Sequence, residues 1–71
     1  MARDICVATG ERIRKLRRAK GWRQIDLAEQ SGVHEVHISD LERGKRNVLL
    51  VALQIIARGF GLSPSKLLSR I

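Results

Sequence analysis

The spacing of the glycines constrains the fold of this chain more than any other feature of its sequence. Three glycines divide residues 21–44 into two short segments, each of which mixes polar and apolar residues. Residues 24–31 are predicted to form one helix, because the glycine that follows them tolerates the positive φ common after a helix C-terminus. Residues 34–43 are predicted to form a second helix, with Ile38 and Leu41 three positions apart on one face. Two helices joined by a short glycine-containing turn indicate a helix-turn-helix, here at about residues 23–43.

A further helix is predicted before this motif. It begins either after a cap at Asp4 or, because Gly10 weakens the helix, only at Thr9, with residues 1–8 as a looser arm. The side of this helix expected to face the core carries Ile5, Ala8, Ile13 and Leu16. The opposite side carries four basic residues that serve either phosphate binding or solubility, namely Arg12, Arg14, Lys15 and Arg18.

Two more helices are predicted after the motif, which gives an all-α, compact five-helix bundle in one domain, residues 1–71. Asn47 is the best cap for the fourth helix, whose inner face carries Leu50, Leu53, Ile56, Ala57 and Phe60. Ser63 caps the fifth helix, with Pro64 at its first position. Further apolar side chains exceed what one small core needs, which predicts a homodimer interface at Leu49, Val51, Ile55, Leu68 and Ile71.

The charge distribution favours a polyanionic partner. The formal net charge is +7, and residues 11–23 hold seven basic residues and one acidic residue. Residues 24–42 hold five acidic residues and no lysine or arginine, and a second basic cluster begins at Arg43. Basic clusters on both sides of a basic-free segment fit a nucleic acid contacted at two places. The alternatives are an ordinary solvated surface and, less favoured, an anionic membrane.

The cysteine content and the apolar segments predict the compartment of the chain. The single cysteine, Cys6, cannot form an intrachain disulfide, which fits a reducing environment. The apolar residues 48–57 are too short to span a bilayer, and we expect a cytoplasmic chain without a signal peptide or membrane partner.

His34 and His37 supply two ligands where a structural zinc site needs four, so no metal is predicted. No nucleophile–base pattern indicates an enzyme, and no cofactor or small-molecule substrate is expected.

The outward face of the second motif helix carries candidate base contacts. With the apolar face turned inward, Val36, Ser39 and Asp40 lie outside together with Glu35. A valine can contact the methyl group of thymine, and the carboxylate of Glu35 or Asp40 can accept a hydrogen bond from cytosine N4. The alternatives are an isolated exposed valine and acidic side chains that complement the helix dipole.

Two other features of the motif concern charge. Arg23 and Gln24 begin the first motif helix, where free backbone N–H groups favour a phosphate. Arg17 borders the apolar face of its helix and Glu42 adjoins an inward leucine, so burial of either charge requires the other as its partner.

The sequence resembles the lambda-repressor/Cro-like helix-turn-helix family from about Gly10 to Leu68. The resemblance is carried by Arg12-Ile13-Arg14-Lys15-Leu16-Arg17, Gly21-Trp22-Arg23-Gln24, Leu27-Ala28, Gly32-Val33, Ile38-Ser39, Leu41-Glu42-Arg43-Gly44, Arg46-Asn47, Leu53, Ile56-Ala57 and Gly61-Leu62-Ser63. It implies that the second helix of the motif enters the major groove of DNA, that Gln24 binds phosphate, and that Arg17 and Glu42 form an inter-helix ion pair. The short length and the Arg-Asn-Val segment also resemble controller proteins of restriction-modification systems.

The chain departs from the family pattern in two ways. Recognition helices of the family are commonly rich in Gln, Asn, Arg or Ser, whereas this one offers Glu35, Val36 and Asp40, whose acids face phosphate repulsion. Positions 49, 51 and 55, commonly polar in the family, are apolar here, which strengthens the dimer prediction.

The sequence thus predicts a homodimeric regulator that binds double-stranded DNA at a pseudo-palindromic operator. The predicted base contacts are Glu35, Val36, Ser39 and Asp40. The predicted phosphate contacts are Arg23, Gln24, His34, His37, Arg43, Lys45, Arg46 and Asn47. The alternative is a protein-interaction module of the antitoxin type that uses the same fold.

Overall fold

The computed structural model describes residues 5–45 and 50–69, which form five α-helices. The helices are α1 (Ile5–Ala19), α2 (Gln24–Ser31), α3 (Glu35–Glu42), α4 (Leu50–Gly59) and α5 (Pro64–Leu67). The predicted all-α, five-helix architecture is confirmed, and the described residues include no strand. In this part of the chain no helix has the length and apolar content needed to cross a membrane. Several predictions fall outside the described residues, namely those for Asp4, Arg46, Asn47, Leu49, the Leu50 side chain and Ile71.

The first helix begins at Ile5 and runs without a break through Gly10, so the later start at Thr9 is not observed. Gly10 is buried against the end of α3, where a β-carbon would lie 2.9 Å from the carbonyl oxygen of Glu42 and closer still to that of Leu41. The glycine therefore allows the two backbones to touch, which outweighs its low helix propensity.

The predicted core side of α1 is wrong at its first residue. Ile5 is 63% exposed, whereas Thr9, Gly10 and Ile13 are buried. The reason is that the contact between α1 and α3 is centred on Gly10, and the first turn of α1 lies beside the loop after α3. There the backbone of Val7 closely approaches Gly44.

The core is formed by apolar side chains from all five helices and the adjoining turn. Its buried members are Ile13, Leu27, Ile38, Leu41, Leu53, Ile56, Ala57, Phe60 and Leu67. Trp22, in the turn before α2, is partly buried and stacks on Phe60 with ring centroids 5.8 Å apart. This stack packs the turn before α2 against the residue that follows α4, so aromatic contact helps to hold the helix-turn-helix against the rest of the core.

Arg12 makes a contact within the chain that neither of its two predicted roles, phosphate binding and solubility, includes. Its Nε donates to the carbonyl oxygen of Leu67 at 3.0 Å, and its Nη2 donates to that of Lys66 at 3.4 Å. These carbonyls belong to the last turn of α5, where helix carbonyl groups lack intrahelical partners and a cation is favoured. The N-terminal cap of α5 is as predicted, with Ser63 Oγ accepting from the Lys66 N–H and Pro64 at the first helical position.

Candidate nucleic-acid interface

The turn between α2 and α3 is held by local hydrogen bonds. Gly32 adopts a positive φ of 80° and donates its N–H to the carbonyl oxygen of Ala28 at 2.8 Å. Ser31 Oγ donates to the Leu27 carbonyl and accepts from the Val33 N–H. The left-handed conformation at Gly32 requires glycine in practice, since a β-carbon would strain it. The turn thereby fixes the angle at which α3 leaves α2.

The N-terminus of α3 is capped by His34. Its Nδ1 accepts a hydrogen bond from the Val36 N–H at 3.2 Å. A neutral imidazole that accepts at Nδ1 carries its proton on Nε2, so the ring retains a donor at the other nitrogen. The His37 ring lies nearby, with centroids 6.2 Å apart. Within the described residues no group of three or more His, Cys, Asp or Glu side chains is arranged to hold a metal ion.

The four predicted base contacts lie on the outer surface of α3, and two of them are more exposed than the other two. Glu35 and Val36 are exposed, and Val36 retains 58% of its accessible surface. Ser39 and Asp40 are half-buried, one turn further along the helix. The N-terminal half of α3 thus presents more side-chain surface than its C-terminal half.

A buried carboxylate ties α1, α2 and α3 together. The side chain of Glu42 is fully buried, and both of its oxygens accept from the guanidinium of Arg17, at 2.7 Å from Nε and 3.0 Å from Nη2. Arg17 also donates to the carbonyl oxygen of Trp22 at 2.7 Å. The hydrogen bonds that Arg17 donates to Glu42 raise the pKa of Arg17 above its ordinary value. Glu42 is therefore buried with an oppositely charged partner and with hydrogen bonds to both carboxylate oxygens, as a buried carboxylate requires.

Two further side chains converge on the same carboxylate. Gln24 Nε2 donates to Glu42 Oε1 at 3.2 Å, and Arg14 Nε lies 3.5 Å from that oxygen. The contact of Gln24 fixes the first side chain of α2 against the end of α3. The sequence alone indicates only that Arg14 is one of four basic residues on one side of α1, although its place three residues before Arg17 puts the two side chains close together on the helix.

Arg23 precedes α2 and is occupied locally. The carboxylate of Asp26 accepts from the backbone N–H of Arg23 at 2.7 Å and from its guanidinium at 3.2 Å. These hydrogen bonds raise the pKa of Arg23 and lower the pKa of Asp26. The loop after α3 begins with Arg43, its C-terminal cap, and both Arg43 and Lys45 are exposed.

The predicted dimer positions that the structure describes differ in exposure. Val51 is 65% exposed on α4, and Ile55, one turn later, is half-buried. Leu68 packs against the core with part of its side chain accessible. Among the predicted dimer residues on α4 whose side chains the structure describes, Val51 is therefore exposed and Ile55 is partly exposed.

Comparison with known proteins places this arrangement among characterised relatives. The family model described as helix-turn-helix matches residues 13–67. Control protein C.SmaI of Serratia marcescens is 40% identical over 67 residues, which cover 94% of this chain and 80% of that protein. Control protein C.BamHI of Bacillus amyloliquefaciens is 36% identical over 69 residues, covering 96% of this chain and 85% of that protein.

Solved structures agree with this assignment. The restriction-modification controller protein C.AhdI of Aeromonas hydrophila superposes with a TM-score of 0.83 at 40% identity, covering 87% of this chain and 94% of that one. The controller protein C.Esp1396I, crystallised as a tetramer with its natural 35 base-pair operator, gives a TM-score of 0.87 at 29% identity, covering 97% and 91%. The chain therefore belongs to the helix-turn-helix family and is similar to restriction-modification control proteins.

Proposed function

We propose that this chain is a sequence-specific transcriptional regulator that binds double-stranded DNA as a homodimer on a pseudo-palindromic operator. The observation that carries the proposal is the α2–turn–α3 unit, which the Glu42 cluster holds against α1 while the start of α3 stays exposed. The operator complex of C.Esp1396I supports it by similarity. We infer a cytoplasmic protein without catalytic activity.

In this proposal α3 enters the major groove and its first turn reads the bases. Val36 contacts a thymine methyl group, while Glu35 and Asp40 accept hydrogen bonds from cytosine N4, with Ser39 beside them. Glu35 and Val36 are more exposed than Ser39 and Asp40, and they lie in the first turn of α3, the part of a recognition helix that contacts base edges. The acidic side chains raise specificity at the expense of affinity, since they repel phosphates that they do not contact.

Phosphate contacts on both sides of the groove position the reading helix. We assign them to the eight residues expected from the sequence, which are Arg23, Gln24, His34, His37, Arg43, Lys45, Arg46 and Asn47. For His34 the cap leaves Nε2–H as a donor, so the ring can bind a phosphate without losing its contact to the Val36 N–H. Arg23 reaches a phosphate by exchanging its exposed contact with Asp26, which costs little because that pair is solvated.

Dimerisation is assigned to the apolar surface around Val51 and Ile55. A two-fold dimer places two α3 helices one DNA turn, about 34 Å, apart and so matches an inverted repeat. Sedimentation of the purified chain tests this step, and a dimer is expected. A monomer would favour the protein-interaction alternative, in which the exposed Val51 awaits a different partner.

Selection of bound duplexes from a random pool at near-physiological salt tests the proposal as a whole. We expect enrichment of an inverted repeat, because two identical reading helices select two identical half-sites. Salt-sensitive binding without enrichment would refute specific recognition and leave only electrostatic attraction.

A further inference from the structure

We propose that Arg14 of α1 is a DNA phosphate-binding residue and that it contacts the same phosphate as Gln24. This inference rests on the proposed DNA-binding function and extends the interface to a helix outside the helix-turn-helix. Arg14 is otherwise one of several basic residues on α1.

The position of Arg14 carries the first step. Arg14 Nε and Gln24 Nε2 both lie against Oε1 of Glu42, at 3.5 and 3.2 Å. One oxygen atom therefore brings the side chains of α1 and α2 together at the N-terminus of α2. A phosphate bound by Gln24 would lie within reach of the Arg14 guanidinium.

The charge balance of the cluster carries the second step. Arg17 contacts both oxygens of Glu42 at hydrogen-bonding distance and neutralises the carboxylate. The Arg14 contact, at 3.5 Å, is longer than a charge-assisted hydrogen bond of about 2.7–2.9 Å. Two guanidinium groups thus face one carboxylate, and the excess positive charge resides on Arg14.

Exposure directs this charge towards solvent. The Arg14 side chain is 41% exposed, whereas that of Arg17 is 11% exposed and that of Glu42 is fully buried. Arg14 uses Nε for its contact with Glu42, and a guanidinium has four further N–H donors on its terminal nitrogens. Because the contact restrains the side chain before DNA arrives, less conformational entropy is lost on binding.

Salt-dependent affinity of the full chain separates this role from a general charge effect. The variant Arg14→Met is compared with Lys15→Met, which removes an equal charge from an exposed site about 100° further around the helix. Both are titrated at several salt concentrations with the selected duplex and with an unrelated duplex.

For Arg14→Met the bound dimer loses two phosphate contacts, so we expect the magnitude of the slope of log K against log salt to fall by about 1.8 and affinity at 0.1 M salt to fall about sixtyfold. Both duplexes should lose affinity by a similar factor, because a phosphate contact carries no sequence information. Lys15→Met should change the slope by less than half as much. Arg14→Lys, which retains the charge, should restore most of the slope.

Three outcomes would overturn the proposal. An unchanged slope for Arg14→Met would remove the contact, and equal slopes for Arg14→Met and Lys15→Met would indicate only the general field of α1. The third outcome is a lower melting temperature of Arg14→Met with a wild-type slope in both Arg14 variants. If the slope of Arg14→Met is measured at a temperature where that variant is folded, this outcome would assign Arg14 a structural role. Failure of the unaltered chain to bind any duplex is distinguishable from these, because it refutes the DNA-binding function itself.

Discussion

The substitution Gly10→Ala tests how closely α1 approaches α3. An added β-carbon would lie 2.9 Å from the carbonyl oxygen of Glu42, 3.0 Å from its carbonyl carbon, and closer still to the Leu41 oxygen. Since carbon and oxygen normally approach to about 3.3 Å, α1 would have to move away by about 1 Å. All of these atoms belong to the backbone, so no side chain can rotate to make room.

The expected magnitude follows from two opposing effects. Alanine gains about 1 kcal/mol over glycine in a helix interior, and overpacking costs about 1–3 kcal/mol, here near or above the upper end because backbone must shift. The net loss is about 2 kcal/mol, which corresponds to a decrease in melting temperature of about 8–16 °C for a domain of this size.

Thermal unfolding followed by circular dichroism measures this effect. Gly59→Ala is the matched control, because its β-carbon would meet the side chain and backbone of Ser31 at 3.1–3.2 Å and so requires a much smaller adjustment. A Gly10→Ala variant more stable than the parent chain would show that helix propensity dominates and that the α1–α3 contact is looser than described.

Three other perturbations have defined outcomes. Glu42→Ala leaves the Arg17 guanidinium without its partner and should cost about 3–5 kcal/mol, measured by urea unfolding; a loss below about 1 kcal/mol would contradict the cluster. Hydrogen bonding to Arg23 lowers the pKa of Asp26 below 3.8, so its stabilising contribution is present above that pH and disappears as the pH falls through the lower folded-state value. Asp26→Asn should therefore lower the melting temperature at pH 7 but not near pH 2, and an equal difference at both pH values would exclude the ion pair as its cause. Val51→Asp should shift the sedimenting species from dimer to monomer, whereas Gln30→Asp, at an exposed site on α2, should not; dimers in both variants would move the interface elsewhere.

The local elements of the fold were accessible from sequence because short-range chemistry determines them. The bounds of α2 and the cap of α5 follow from glycine, serine and proline at fixed offsets, and the structure agrees with both. The contact of Arg12 with the carbonyls of α5 was not predicted, because its partners are 54 and 55 residues away and depend on how the helices pack.

In the candidate site, too, some contacts could be predicted from sequence and others depend on how the helices pack. The positions of Arg17 and Glu42 beside apolar residues predict that the two charges pair if either is buried, and the two side chains are in contact. The role of His34 as the α3 cap was missed, because histidine is not among the residues favoured at that position. The convergence of Arg14 and Gln24 on one oxygen requires the relative positions of α1, α2 and α3, which no local pattern contains.

The central claim, recognition by a homodimer, is tested most directly by comparing affinities for two duplexes. One is the selected inverted repeat, and the other is the same repeat with five base pairs inserted between its half-sites. A rigid dimer with reading helices about 34 Å apart cannot engage both half-sites after the insertion, which rotates them about half a turn around the DNA. We predict that affinity for the altered duplex falls to that of a single half-site. Equal affinity for the two duplexes would contradict recognition by a homodimer on a two-fold operator.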